Sequence, residues 1–191
     1  MNVEIQKAIQ VAREGGIIVF PTDTAFGIGC RIDREDAVER LFKLRHRPLT
    51  KAVPVLFDSL EMVKAYTRNL NQDCIDTLIK PHWPGALTII LSANLEKVPS
   101  LIRGGESTIG VRIPNHKDAL ALIQGVGVPF VGTSANFAGE PTPYTFSDLD
   151  PELLEVVDYV MQGECTLKKE STVIDTTIFP WKILRQGAVS I

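Results

Sequence analysis

Arg45-His46-Arg47-Pro48-Leu49-Thr50-Lys51 places four basic side chains within seven residues, at the end of an amphipathic segment. Guanidinium forks grip phosphate and carboxylate oxygens in pairs and stay charged at physiological pH, so this stretch offers the chemistry of anion binding. The same charges also suit the negative end of a helix dipole on an exposed turn, and charge pattern alone leaves both readings open. Two polar segments follow apolar runs: Pro21-Thr22-Asp23-Thr24 after Ile17-Ile18-Val19-Phe20, and Thr133-Ser134-Ala135-Asn136 after Val128-Pro129-Phe130-Val131. Groups at the C-terminal ends of strands sit where open α/β sheets place ligands, although Thr, Asp, Ser and Asn are also ordinary turn formers. Phe26-Gly27-Ile28-Gly29 adds glycines that let backbone approach a ligand closely. Glu170-Ser171-Thr172-Val173-Ile174-Asp175 and Leu184-Arg185-Gln186-Gly187 are weaker signals.

Several familiar chemistries are missing from the chain. It has no GxxxxGK[ST] loop and no strand-following GxGxxG, so a P-loop or Rossmann nucleotide site is unsupported. His46, His82 and His116 lie on separate segments without HExxH or other paired metal-ligand spacing, and no GxSxG elbow surrounds Ser134 or Ser171.

The elements that must position these residues follow from periodicity. Ile5, Ala8, Ile9 and Ala12 recur at helical spacing and stop at Gly15-Gly16, ahead of a buried strand at Ile17 to Phe20. A second helix carries Ala37, Val38, Leu41 and Leu44, with Asp33 as its expected cap and an end before Pro48. Val53 to Phe57 reads as a strand that Pro54 assigns to an edge or a bulge. Helical pattern returns at Ser59 to Ala65, from Asn71 to a stop at Pro81, and after Asn115 as the expected cap of a helix with Ala119, Leu120, Leu122 and Ile123. Further strands are expected at Ala86 to Leu91, Thr108 to Ile113, Val128 to Gly132, Val156 to Met161, Ser171 to Asp175 and Lys182 to Leu184. Phe137 to Pro151 is the longest irregular stretch, a length that is often functional inside a compact domain. The interspersed helices and strands predict one α/β (α+β) domain over residues 1–191, built on a single twisted mixed sheet flanked by helices.

Composition narrows the class. The 191 residues carry 20 Lys+Arg against 23 Asp+Glu, a formal charge of -3, so no global basic field points to nucleic acid and any RNA contact needs a local patch. Cys30, Cys74 and Cys165 are odd in number and far apart, the pattern of reduced thiols rather than of a disulfide framework. The opening Met1-Asn2-Val3-Glu4 lacks the basic start of a secretion signal, and no segment has the ~20 apolar residues of a membrane span. The expectation is a cytoplasmic location with no membrane partner.

In their order, these segments resemble the YrdC-like family, and the match covers nearly the whole chain. It rests on Pro21 to Gly29, Arg45 to Lys51, Trp83-Pro84-Gly85-Ala86-Leu87-Thr88, Thr108 to Pro114, Ser134-Ala135-Asn136, Ser171 to Asp175 and Leu184 to Gly187. The resemblance implies a twisted α/β domain with a large open cavity. It also implies a nucleotidyltransferase that joins L-threonine, bicarbonate and ATP into threonylcarbamoyl-AMP and pyrophosphate, for modification of tRNA. Carried over by motif, Arg45, Arg47, Ser134 and Asn136 are the expected catalytic residues, and Lys51, Thr108, Thr142 and Arg185 join them in binding ATP. Thr22, Arg112 and Ser171 are the expected threonine pocket, with Arg112 on the amino-acid carboxylate. Mg2+ would accompany ATP with no protein ligand assigned; the partners implied are small-molecule substrates and a tRNA or tRNA-modification transferase complex. The chain departs from the family pattern in two places. Arg45 stands where a lysine is usual, in the register that Pro48 sets; a shifted register would choose Lys43 and Arg45. Ala25-Phe26 replaces the usual Val-Tyr. A YciO-like paralogue, or an RNA-binding module of the same fold without chemistry, is the alternative.

Overall fold

Ile17-Ile18-Val19-Phe20 shows no polar alternation because both of its faces are buried. Ile17 and Val19 join the larger of two hydrophobic clusters, and Ile18 and Phe20 join the smaller. The computed structural model describes residues 2–191; Met1, part of the opening segment considered above, lies outside them.

The chain begins with α1 (Val3–Arg13), capped by the Asn2 side chain, and turns through Gly15 at φ +91° into β1 (Ile18–Phe20) and β2 (Gly27–Gly29). Then come α2 (Glu35–Leu44), β3 (Val55–Leu56), α3 (Leu60–Tyr66) and β4 (Thr67–Arg68). A helical run passes from α4 (Gln72–Cys74) through a wide π-turn at Ile75–Ile79 to α5 (Lys80–His82). The run continues through Pro81 instead of stopping there. The ring cannot donate to Thr77 four residues back, and the widened turn ahead of it accommodates the lost bond. β5 (Leu87–Ala93), α6 (Ser100–Arg103), β6 (Thr108–Arg112), α7 (Lys117–Val126), β7 (Phe130–Val131) and β8 (Thr133–Ser134) follow. The chain finishes with α8 (Pro151–Val156), β9 (Tyr159–Val160), β10 (Thr172–Asp175) and β11 (Lys182–Arg185).

The mixed α/β architecture matches the expectation, but the strands divide into two ladders. One runs β8-β2-β1-β9; the other runs β11-β10-β5-β6-β3-β7, with β4 also paired to β5. The ladders are knitted together where β7 and β8 meet. Phe130 bridges Arg31, and the Val131 N–H donates to Cys30 O at 2.8 Å. Two glycines make that joint. A Cβ on Gly29 would lie 1.7 Å from Val131 O, and one on Gly132 would lie 2.4 Å from Leu56 Cγ. α1 and α7 cover β1 on the side of Ile18 and Phe20, while α2 and α3 contribute Val38, Leu41 and Val63 to the larger core.

Three local expectations change. β3 lies between β6 and β7 in the interior of its sheet: Pro54 stands just ahead of it and needs only its carbonyl, which accepts from Gly132 N at 3.0 Å. Arg34 is the N-cap residue of α2, because Arg31 holds the Asp33 carboxylate through two bonds of 2.7 and 2.8 Å. His116, not Asn115, caps α7. The three cysteines are free and buried, and burial pushes the Cys30 thiol up to about 12 and Cys74 up to about 11. Among the described residues, no helix is long and apolar enough to cross a membrane.

Candidate functional site

The C-terminal end of α2 is a Schellman turn with a histidine in the place glycine usually takes. His46 has φ +53°, the Arg47 N–H donates to Phe42 O at 2.9 Å, and the His46 N–H donates to Lys43 O at 3.0 Å. The left-handed step swings His46 out onto Phe137, ring on ring at 5.2 Å and 15°, and leaves Arg45 and Arg47 on the same cavity. Lys43 is a solvated side chain paired 3.7 Å from Glu39, whereas Arg45 and Arg47 line a cavity of about 210 Å³.

Arg45 is almost fully buried. Its Nε donates to Asn136 O at 2.9 Å and its Nη2 to Asn136 Oδ1 at 3.1 Å, while Nη1 has no partner among the described residues. Arg47 Nη2 donates to Ala52 O at 2.7 Å, and its buried Nε likewise has none. Burial, and after it the neighbouring Arg47 charge, lowers Arg45 to about 10; burial lowers Arg47 as well. Both remain charged at neutral pH. Among the described residues neither guanidinium is paired with a carboxylate, so an anion entering the cavity would meet two cations already partly stripped of water.

Opposite in character is the wall made by the turn after β1 and the C-terminal end of β6. Arg112 Nε donates to Gly85 O at 3.0 Å, Nη1 donates to Thr24 Oγ1 at 2.8 Å, and Nη2 forms a buried ion pair with Asp23. Burial lowers the Arg112 pKa, and the Asp23 charge opposes that shift. Arg112 thus lines the cavity with its charge already matched by Asp23, and two of its five N–H groups are left unengaged among the described residues. A charge buried this deeply needs a permanent partner, and Asp23 supplies it. Thr22 also faces the cavity, yet its hydroxyl donates to Ala25 O at 2.7 Å and accepts from the Thr24 and Ala25 N–H groups, which fastens the turn.

A third wall gathers Thr88 from β5, Glu170 and Ser171 ahead of β10, Arg185 from β11, and Thr142 from the irregular stretch. Ser171 Oγ lies 2.9 Å from Thr88 Oγ1 and accepts from Arg185 Nη2 at 3.2 Å. Glu170 accepts from Thr142 Oγ1 at 3.2 Å and from Arg185 Nη1 at 3.0 Å. Gly187 makes this closeness possible, since a Cβ there would lie 2.3 Å from Glu170 O. An apolar shelf of about 290 Å³ lined by Val53, Ile90, Val173 and Leu184 shares Pro54, Thr88, Ser171 and Arg185 with the cavity.

The structure therefore brings Thr22, Arg45, Arg47, Arg112, Ser134, Thr142, Ser171 and Arg185 to one cavity. It leaves out Lys51, which is exposed beyond the Arg47 turn, and Thr108, which pairs with Ser92 at the far end of the strand from Arg112. Four residues of strand put Thr108 about 13 Å from Arg112. Asn136 is not a lining residue either: its amide carries Arg45 and donates through Nδ2 to Glu140 O at 2.6 Å. Sequence reasoning missed the roles of Asp23, Thr24, Thr88 and Glu170. Each sits inside or beside a flagged segment, but its partner lies on another segment. Among the described residues no three His, Cys, Asp or Glu side chains cluster as a metal cage. Glu170, which lines the cavity, and Asp23, which pairs with the lining Arg112, are each held by an arginine. This donor set does not fit a protein-held magnesium ion.

The chain belongs to the Sua5/YciO/YrdC family, described as telomere recombination, whose model matches residues 10–187. A curated threonylcarbamoyl-AMP synthase of Pyrococcus abyssi (strain GE5 / Orsay) is 34% identical over 187 residues, covering 97% of this chain and 54% of that protein. This chain thus spans about half the length of that curated relative. The crystal structure of P. abyssi Sua5 complexed with L-threonine has a TM-score of 0.87 at 33% identity, covering 98% of this chain and 56% of the other. The crystal structure of E. coli YciO also has a TM-score of 0.87, at 30% identity, and is covered over 90% of its length.

Proposed function

We propose that residues 1–191 act as one YrdC-like unit, a nucleotidyltransferase that forms threonylcarbamoyl-AMP from L-threonine, bicarbonate and ATP. The observation that carries the reading is that Arg45 and Arg47 line one cavity, each with a buried guanidinium nitrogen that has no partner among the described residues. An oxygen of the threonine carbamate attacks the α-phosphorus, and the bond to the pyrophosphate oxygen breaks. Negative charge grows on the phosphate oxygens and on the leaving pyrophosphate. Two fixed guanidinium groups in a partly dry site stabilise that charge without having to reorganise.

The triphosphate lies against Arg45 and Arg47, with Ser134 adding a hydroxyl and Asn136 acting through Arg45. The amino acid lies against Thr22, Arg112 and Ser171; three of the five Arg112 N–H groups are engaged, and two remain for a substrate carboxylate. Magnesium enters with ATP as part of the substrate. The product serves tRNA modification in the cytoplasm, passing to a transferase partner. Support for this reading comes from the synthase named at 34% identity and the related protein crystallised with L-threonine. The test is pyrophosphate release with threonine, bicarbonate or ATP omitted in turn. Release that ignores threonine would defeat the assignment.

One observation favours a second reading. YciO fits with the same TM-score and is nearly matched in length, so a paralogue without this activity is the rival. The same assay separates them, because the rival releases no pyrophosphate under any combination. An RNA-binding module would instead bind tRNA with steep salt dependence and no ATP turnover.

A further inference from the structure

Among the described residues, Glu170 is the one acid lining a cavity of arginines, hydroxyls and apolar groups. A carboxylate in a site for polyphosphate is electrostatically misplaced unless it does something when the site is empty. Its two oxygens meet a hydroxyl and a guanidinium from different segments, Thr142 at 3.2 Å and Arg185 at 3.0 Å. That donor set is the one an incoming phosphate would use.

We propose that Glu170 is an internal stand-in for the substrate's anion: it fills the subsite of Arg185 and Thr142 until a polyphosphate displaces it. The inference rests on the cavity taking a nucleotide polyphosphate, as proposed above. Its first support is that the subsite survives when Glu170 leaves. Arg185 stays anchored through Nε to Ser171 O at 3.0 Å and through Nη2 to Ser171 Oγ at 3.2 Å. The second is that only the side chain of Glu170 has freedom to move. Its carbonyl accepts from Ala188 N at 2.9 Å and lies tight against Gly187, so the backbone is pinned. The third is cost. The Arg185 and Glu170 side chains are 43% and 39% exposed, so the ion pair is screened and exchanges readily for a more highly charged competitor. Arg112 and Asp23 make the contrast, because their pair is buried and cannot be exchanged in this way.

The test is calorimetric titration of inorganic pyrophosphate at fixed ionic strength into the wild-type chain, Glu170→Ala, Arg185→Ala, the double variant Glu170→Ala/Arg185→Ala, and Arg47→Ala. Glu170→Ala should bind about 3- to 10-fold tighter, from the loss of one screened pair and one repelling charge. The gain should vanish in the double variant. Glu170→Gln, which keeps the shape and removes the charge, should move affinity in the same direction. Equal or weaker binding by Glu170→Ala, or a gain that persists without Arg185, would show that Glu170 is only a structural tie. If that happens while Arg47→Ala still loses pyrophosphate, the stand-in fails and the functional reading survives. Pyrophosphate that binds neither the wild type nor Glu170→Ala, or binds Arg47→Ala as well as the wild type, overturns both.

Discussion

Four arginines line one cavity, and they divide into two unlike pairs. Arg112 and Arg185 each hold a carboxylate, Asp23 and Glu170, whereas Arg45 and Arg47 have carbonyl and amide partners and no counter-charge. The residue type is the same, so its chemistry cannot be read from type alone. Of the two paired guanidinium groups, Arg112 is held by a buried carboxylate, whereas the Arg185 pair is half exposed and screened. An unpaired guanidinium is a standing demand for an anion, and the α2 turn provides two of them side by side.

Four substitutions sharpen or break this contrast. The largest effect is expected for Asp23→Ala, which turns Arg112 into a buried cation without a partner. Stability should fall by about 3–5 kcal/mol in denaturant unfolding, and Asp23→Ala/Arg112→Met should recover most of it, since a buried pair replaced whole is far cheaper than a pair broken. A single variant as stable as the wild type would mean that Arg112 finds solvent or another partner. Arg47→Ala is the opposite case. It removes a charge that no described residue neutralises, so the free energy of unfolding should stay within about 0.5 kcal/mol of wild type. Catalytic efficiency for ATP should nevertheless fall by about 100-fold or more. Unchanged kinetics would place the triphosphate elsewhere. The smallest effects belong to the residues that the fold leaves out of the cavity. Lys51→Ala and Thr108→Ala should each leave KM for ATP within about twofold, because surface changes away from a site seldom exceed ±0.5 kcal/mol. A tenfold loss at Lys51 would require the segment after Arg47 to fold inward when substrate binds.

Much of the architecture was legible in the chain. Strong hydrophobic periodicity placed α1, α2 and α7, and apolar runs placed β1 and β5, because burying those faces dominates the local energetics. β2 and β8 were not legible as strands. Gly27-Ile28-Gly29 and Thr133-Ser134 are too short to show an alternation, the glycines disfavour a strand, and the segments become strands by pairing with each other and, for β2, with β1. Pro54 misled for a related reason: a proline forbids a donor, but the interior position just before β3 required only an acceptor.

The order of the motifs, the mixed α/β class and the paired arginines about a single histidine were determined by the sequence itself. They depend on residue identity and on spacing of a few residues. Tertiary structure alone decided which arginine was free. Asp23 meets Arg112 across 89 positions of chain, Thr142 meets Glu170 across 28 and Arg185 meets Glu170 across 15. A charge's partner is set by distance and burial in space, and no local pattern in the chain encodes either.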